Sequence, residues 1–381
     1  MDQIDELLTR GVQDIYPSKE ALEKVLRSGK KLRLYQGFDP SMPSLHMGNL
    51  VGVQKLRQFQ ELGHEVIFLV GDFTGMIGDP TDKYATRQKL TRKQTLTNAK
   101  NWKTQAGKIL KFDGPNPAQF MFNSKWLDKL TFKDLIEITS NFTVQQMIER
   151  DFFQNRLQES RPIHLHEFLY PVAQAIDSVD MDVDLEIGGS DQMFNMMCGR
   201  TLLAALKNKE KFVLTTKLLV DNAGNKVGKT TGNALFLDAS ANDLFGGIMS
   251  FPDEVLDLSF ELLTTIPMDK IPKEGHPMDL KKQLAHQIVS ELHSKVDADR
   301  AQENFEKIFQ RGEVGEVEEI KAETVEDLIA AEVVVSKSEW KRLVSQGAVE
   351  RDGARVSDEK ILPGVYRIGK KKFIKILPPQ P

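Results

Sequence analysis

The chain has 381 residues, enough for two or three cores rather than one, and its formal net charge is −4. With 28% charged and 40% hydrophobic residues and no long uncharged apolar run, it has the composition of a globular protein and excludes a transmembrane helix. The single cysteine, Cys198, excludes an internal disulfide or a cysteine-rich zinc site, and it reads as a packed thiol. The acidic start Met1-Asp2-Gln3-Ile4-Asp5-Glu6 lacks a signal-peptide pattern, so a cytoplasmic location is expected.

Leu34 to Asp39 reads as a strand running into a turn at Pro40. A helix follows from about Leu45 to Leu62, with Gly63 as its C-terminal cap and His46-Met47-Gly48-Asn49 at its start. Val66 to Val70 is an apolar run suited to a buried parallel strand. Between about Phe112 and Pro162 the chain is expected to be mainly helical, with Thr143-x-x-Gln146 as a capping box. His164 and His166 flank one leucine and read as surface or capping groups rather than a metal pair.

His166 to Asp177 is apolar enough for a buried helix, with Pro171 tolerated near its first turn. Tyr170, Gln174 and Asp177 then share one stripe at i, i+4 and i+7. Polar groups on a buried stripe either satisfy one another or line a polar pocket, and spacing leaves both open. Leu185-Glu186-Ile187 reads as another strand, after which Ser190 is expected to cap a helix. Strands alternating with helices predict an α/β, doubly wound parallel sheet with ligands at the strand carboxyl ends.

Lys226-Val227-Gly228-Lys229-Thr230 places two lysines three apart on a loop that begins at Asp221 and reads as mobile. Ser240 to Gln310 is expected to be helical, including Asp279 to Val296, and Glu313 to Glu319 an acidic linker. From Ser336 to the end there are eleven Lys/Arg against five Asp/Glu, a balance of +6 that leaves −10 for the remainder. A basic end on an acidic body suggests a polyanion contact.

A helix start offers free N–H groups and positive dipole potential to a phosphate, and compact ammonium groups can follow phosphates whose charge shifts. Singly, the His46 and Lys226 segments are an ordinary helix start and a solvated loop. As an ordered pair they resemble the HIGH and KMSKS signatures of class I aminoacyl-tRNA synthetases. Gly37-Phe38-Asp39-Pro40, Thr74 to Pro80, Tyr170-x-x-x-Gln174-x-x-Asp177, Gly188 to Gln192 and Lys226 to Thr230 occur in the order seen in bacterial tyrosyl-tRNA synthetases. The similarity extends over nearly the whole chain. Asn49 stands where HIGH has its second histidine, and Val227-Gly228 replaces the central Met-Ser of KMSKS.

The resemblance implies that Tyr35 and Asp177 hold a substrate phenol. Asp79, Tyr170 and Gln174 would hold its ammonium group, with Gln192 beside the amino acid. Asp39 would contact the amino group or the ribose and Asp191 the ribose, while Gly37 and Gly48 leave room for ATP beside Asn49. Ser41 and His46 would meet the departing pyrophosphate, Lys83 and Arg87 lie on a basic loop, and Lys226, Lys229 and Thr230 form a second phosphate clamp. Ser336 to Val349 resembles a small RNA-binding domain with which bacterial tyrosyl enzymes commonly end.

The resemblance implies a Rossmann-like catalytic domain over residues 1–220, with a helical insertion at about 112–162 that forms much of a homodimer interface. A helical domain on the anticodon side (221–322) and a small α+β RNA-binding domain (323–381) would follow. The expected partners are L-tyrosine, ATP and tRNA(Tyr), with Mg2+ accompanying ATP and no dedicated protein metal site. Two rivals are an adenylating nucleotidyltransferase for another small acid and a non-catalytic RNA-binding scaffold. Tyr35, Asp177 and the basic end argue against the first, and the intact pocket and lysine motifs against the second.

Overall fold

The computed structural model describes residues 2–79, 90–227, 234–310, 318–352, 354–369 and 372–377. Lys83, Arg87, Gly228, Lys229 and Thr230 therefore lie outside the described residues. Two compact units divide the chain, residues 1–295 and 296–381.

The first unit is built on a six-stranded sheet. Its strands are β1 (Val12–Tyr16), β2 (Arg33–Phe38), β3 (Glu65–Val70), β4 (Gln119–Phe122), β5 (Leu185–Gly189) and β6 (Phe212–Thr216). The spatial order is β1-β6-β5-β2-β3-β4, all parallel except β1, which runs antiparallel along β6. Continuous apolar sequence in β3 matches burial of Val66 to Val70, as a strand covered on both faces requires. Strand order reverses between β2 and β5, so their carboxyl ends open a crevice there.

The helix Met47–Glu61 follows β2 and turns off at Gly63, whose φ of +87° suits a residue without Cβ. The helix Leu169–Asp180 carries Pro171 in its first turn and buries Tyr170 and Asp177. Thr143 and Gln146 form the expected capping box at Val144–Ile148. Cys198 is a buried free thiol, and burial pushes its pKa up to about 12.

The stretch from Phe112 to Pro162 is mainly helical, and within it Gln119–Phe122 adds edge strand β4. Four residues are too few for periodicity to separate strand from helix, and pairing with β3 decides it. Three expectations need correction. Ser190 does not cap the next helix; it opens a 3-10 turn, and Gln192 precedes Met193–Lys207. The helix from Pro277 ends at Leu292, and a break at His293 and Ser294 separates it from Lys295–Gln310. Glu318 and Glu319, read as linker, are strand residues.

The second unit contains a five-stranded sheet, β7 (Glu318–Ile320), β8 (Val349–Arg351), β9 (Ala354–Arg355), β10 (Gly364–Ile368) and β11 (Lys372–Ile376), ordered β7-β11-β10-β8-β9. Glu319 is drawn into it by register with Lys375, whose ammonium lies 2.7 Å from its carboxylate. The helices Val325–Ala330 and Lys337–Ser345 supply Leu328 and Trp340 to a core with Val349, Tyr366 and Ile374.

Trp340 is fully buried, and its indole N–H donates to the Glu359 carbonyl at 3.2 Å. Trp340→Ala should destabilise this unit by about 3–5 kcal/mol, the usual cost of emptying so large a site. Calorimetry should show a transition moved down or lost for the second unit, with that of the first unchanged. A single unshifted transition would contradict this core assignment.

Candidate active site

A cavity of about 910 Å3 opens at the carboxyl ends of β2 and β5. It gathers every described residue that the resemblance assigned to the site: Tyr35, Gly37, Asp39, Ser41, His46, Gly48, Asn49, Asp79, Tyr170, Gln174, Asp177, Asp191, Gln192 and Lys226. These come from five separate stretches, so the polar stripe of the Leu169–Asp180 helix lines a pocket as well as forming internal bonds.

At the deep end, Tyr35 projects from β2 and its hydroxyl lies 3.0 Å from Ser178 Oγ. Asp177 accepts from Trp126 Nε1 at 2.8 Å and from Asn123 Nδ2 at 3.3 Å. Burial pushes the Asp177 pKa well above the usual carboxylate range, against the pull of those two donors. Burial also raises Tyr35, helped by the carboxylates of Glu186 and Asp177, so its phenol stays neutral.

Midway along, the Tyr170 hydroxyl donates to Asp39 Oδ2 at 2.9 Å, and Thr74 Oγ1 donates to Asp39 Oδ1 at 2.6 Å. Burial and the carboxylates of Asp39 and Asp79 raise the Tyr170 pKa. Its proton is committed to Asp39, which leaves its oxygen as an acceptor. Gln192 donates to Asp79 Oδ2 at 2.6 Å and accepts from Asn195 Nδ2 at 2.9 Å. Gln174 donates to Glu186 Oε1 at 2.9 Å. Carboxylates and acceptor oxygens thus dominate this part of the cavity, the environment a cationic amine needs.

At the mouth, His46 precedes Met47–Glu61, and its N–H donates to Asn49 Oδ1 at 3.0 Å. Asn49 therefore serves the helix start itself, a role that its departure from the HIGH pattern had left open. A Cβ on Gly48 would lie 2.9 Å from His46 Cε1, so glycine there makes room for the imidazole. Ser41 N–H donates to the Asp39 carbonyl at 2.8 Å, folding the turn after β2 over the cavity.

The start of the Met47–Glu61 helix is joined through the backbone to the segment that follows the Lys226 motif. Met47 N–H donates to the Leu235 carbonyl at 3.0 Å, and Leu237 N–H donates to the Leu45 carbonyl at 2.8 Å. Asp221 to Asn225 is a pinned turn rather than a loose loop, because Asp221 Oδ1 accepts from the N–H groups of Ala223 at 3.0 Å and Asn225 at 2.8 Å. Lys226 follows, its ammonium 2.8 Å from Asp191 Oδ2. That pair holds a cation at the mouth, beside the helix start.

Sequence reasoning missed Thr74, Asn123, Trp126, Ser178, Glu186 and Lys211. Asn123 and Trp126 reach Asp177 from the turn after β4, a strand that gave no signal of its own. Ser178 adjoins Asp177, but one more small polar residue on a helix carries no periodic mark. Among the described residues no group of three His, Cys, Asp or Glu side chains is placed to hold a metal ion. No helix among them is long and apolar enough to cross a membrane.

Residues 27–310 match the model of class I tRNA synthetases (W and Y). The tyrosine–tRNA ligase of Geobacter metallireducens is 41% identical to this chain, over 97% of it and 98% of that protein. That of Thermotoga maritima is 41% identical over 97% and 96%. Among solved structures, a C-terminally truncated mitochondrial tyrosyl-tRNA synthetase from Aspergillus nidulans superposes with a TM-score of 0.67 at 22% identity, covering 81% of this chain and 94% of that one. The tyrosyl-tRNA synthetase of Archaeoglobus fulgidus, complexed with L-tyrosine, gives 0.60 at 22%, over 79% and 100%. At that identity the solved structures speak for the fold, whereas the bacterial relatives and the family model carry the kinship. This chain belongs to the bacterial-type tyrosyl-tRNA synthetases of class I.

Proposed function

We infer that the chain is a tyrosine–tRNA ligase that activates L-tyrosine with ATP and passes the tyrosyl group to tRNA(Tyr). The observation that carries this reading is the convergence of Tyr35 and Asp177, the acceptor-rich middle, and His46 with Lys226 in one cavity. In the first step a tyrosine carboxylate oxygen attacks the α-phosphorus of ATP, and the bond to pyrophosphate breaks. In the second a terminal ribose hydroxyl of the tRNA attacks the tyrosyl carbonyl, and AMP leaves. Neither step obliges a protein acid or base, so positioning and charge stabilisation supply the catalysis.

Tyr35 and Asp177 take the phenol in this reading. Asp79, Tyr170 and Gln174 take the ammonium, and Gln192 holds Asp79 in place. Asp39 and Asp191 serve the amino group and ribose, and Gly37 and Gly48 leave space for the nucleotide. Ser41, His46, Asn49, Lys226, Lys229 and Thr230, with Lys83 and Arg87, attend the phosphates. Magnesium enters with ATP as part of that substrate.

We place the enzyme in the cytoplasm as a homodimer. Support for the dimer comes from the insertion after β4, where Phe132 is 78% exposed and Val144 71%, with Ile136 beside Phe132 one helical turn on. Apolar groups so gathered on one segment call for a partner surface. The basic stretch from Ser336 to the end grips the tRNA, and residues 221–322 serve the anticodon side.

Tyrosine-dependent ATP–pyrophosphate exchange followed by tRNA charging tests the whole reading. Exchange with a different acid, or none with any, would overturn it. A site built around a hydroxyl rejects an analogue that leaves its buried groups unpaired, a rule for which tyrosyl-tRNA synthetase is itself the worked example. Tyr35→Phe and Asp177→Asn should each reduce discrimination against phenylalanine about tenfold or more, with ATP affinity little changed. Equal selectivity in the parent and both variants would remove these residues from the phenol site.

His46→Ala and Lys229→Ala should slow adenylate formation by about 100-fold while leaving tyrosine affinity nearly constant, since the charge they meet develops on the departing pyrophosphate. Single-turnover kinetics across a tyrosine titration reads both quantities. A raised tyrosine Kd at unchanged forward rate would contradict the assignment.

A chain ending at Gln310, upstream of β7, should keep pyrophosphate exchange but charge tRNA poorly. Its residual tRNA binding should depend less on salt, because lysine and arginine contacts to phosphate have been removed. Normal charging by that truncation at every salt concentration would end the RNA-binding role of this unit.

A further inference from the structure

One stretch without a role in the reaction so far is bonded to the chain that leads into the His46 helix. Asn98, Trp102, Gln105 and Lys108 recur at helical spacing along the helices Arg92–Ala99 and Trp102–Ala106 and the turn that follows. Asn98 Nδ2 donates to the Pro40 carbonyl at 2.8 Å, and Trp102 Nε1 donates to the Pro43 carbonyl at 3.2 Å. Gln105 Oε1 accepts from the Leu45 N–H at 2.7 Å. These three bonds fasten the turn between Asp39 and His46. Lys108 Nζ donates instead to the Leu237 carbonyl at 2.7 Å, beyond the Lys226 motif. The bonds pass from one segment to the other, and Gln105 stands at the crossing.

Gln105 is buried, does not line the cavity, and uses both ends of its amide. Its nitrogen donates to Asp238 Oδ2 at 3.0 Å, and the Ser44 hydroxyl donates to the same oxygen. These partners fix which way the amide points. A backbone N–H can only donate and a carboxylate can only accept, so Leu45 takes the oxygen and Asp238 the nitrogen. Glutamate, of the same length, would serve Leu45 but set two carboxylates against each other. An apolar side chain would leave the Leu45 N–H unpaired in the interior. Leu45 is itself fully buried, and its carbonyl accepts from the Leu237 N–H. Both backbone groups of the residue before His46 are therefore spent on this junction.

We propose that Gln105 is a positioning residue for adenylate formation. Its amide sets the His46 turn in register with the segment that follows the Lys226 motif, so that groups from both meet the departing pyrophosphate. It acts through Leu45 and Asp238 and contributes no group to the cavity. The tyrosine end of the cavity, built by other elements, does not depend on it. The inference rests on the reading of the chain as a tyrosine–tRNA ligase.

Exchanging the two partners' chemistry provides the test. Gln105→Glu should slow adenylate formation about 10- to 100-fold, since about 1 Å of displacement at reacting groups costs about 100-fold. Its tyrosine Kd should stay within about twofold of the parent's, as an effect confined to the transition state requires. Asp238→Asn alone should run near the parental rate, because its side-chain carbonyl still accepts from Gln105 and Ser44. Combined with Gln105→Glu it should restore most of the lost rate, because the new amide nitrogen donates to the new carboxylate while Leu45 keeps its acceptor. Gln105→Met adds no charge, should lose rate likewise and should gain nothing from Asp238→Asn; it replaces the glutamate variant should that fail to fold. Single-turnover kinetics across a tyrosine titration reads rate and Kd for each protein. The inference is overturned by a parental rate in either Gln105 variant, by a tyrosine Kd that rises in step with the lost rate, or by Asp238→Asn as slow as Gln105→Glu. A double variant no faster than Gln105→Glu overturns it too. Absence of tyrosine-dependent pyrophosphate exchange in the parent overturns the functional reading itself.

Discussion

Carboxylates withdrawn from water must find donors inside the protein, and the crevice between β2 and β5 is organised around that demand. Asp39 and Asp72 follow the carboxyl ends of β2 and β3, Asp177 lies on the Leu169–Asp180 helix, and Glu186 lies on β5. Asp72 takes the Ser124 N–H at 3.0 Å and hydroxyl at 2.9 Å. Asp177 takes Trp126 and Asn123 from the same turn. The segment after β4 is thereby fastened to the sheet by its donors, and losing any of them leaves a buried charge unsatisfied at a cost of about 1–3 kcal/mol or more. Fold and pocket share these bonds, so the pocket arrives already shaped.

A second constraint operates at the mouth. The helix start at His46 and the strand-like segment Leu235 to Leu237 are bonded backbone to backbone. Residues on either side of the Lys226 to Thr230 motif are thus anchored, one side by the Asp221 turn and the other by the helix start. Main-chain bonds of this kind are indifferent to side-chain identity. That fits a motif whose centre here reads Val227-Gly228.

Much of this was legible in the sequence, for physical reasons that differ by residue. The β3 strand and the helix after His46 announce themselves because burial imposes an apolar run in one and an N-terminal break followed by Gly63 in the other. Tyr170, Gln174 and Asp177 were readable as one stripe, since helical periodicity is a local property. β4 was not legible: its four residues take their conformation from pairing with β3, which local pattern does not encode. Ser178, Glu186 and Lys211 stayed hidden for a related reason. Each belongs to a different element, and only the sheet order brings them together. Sequence similarity located the motif residues but was silent on Glu319, which β11 recruits from what composition marks as linker.

The Gln174 amide and the Ser178 hydroxyl grip opposite oxygens of one carboxylate, that of Glu186. On the proposed assignments, one of these leads to the substrate ammonium and the other, through Tyr35, to its phenol. Both ends of the amino acid are then referenced to a single rigid group fixed on a central strand. Such a group acts as a gauge of length. A side chain one methylene longer or shorter could satisfy either end but not both, so this one carboxylate would measure the distance from amine to hydroxyl.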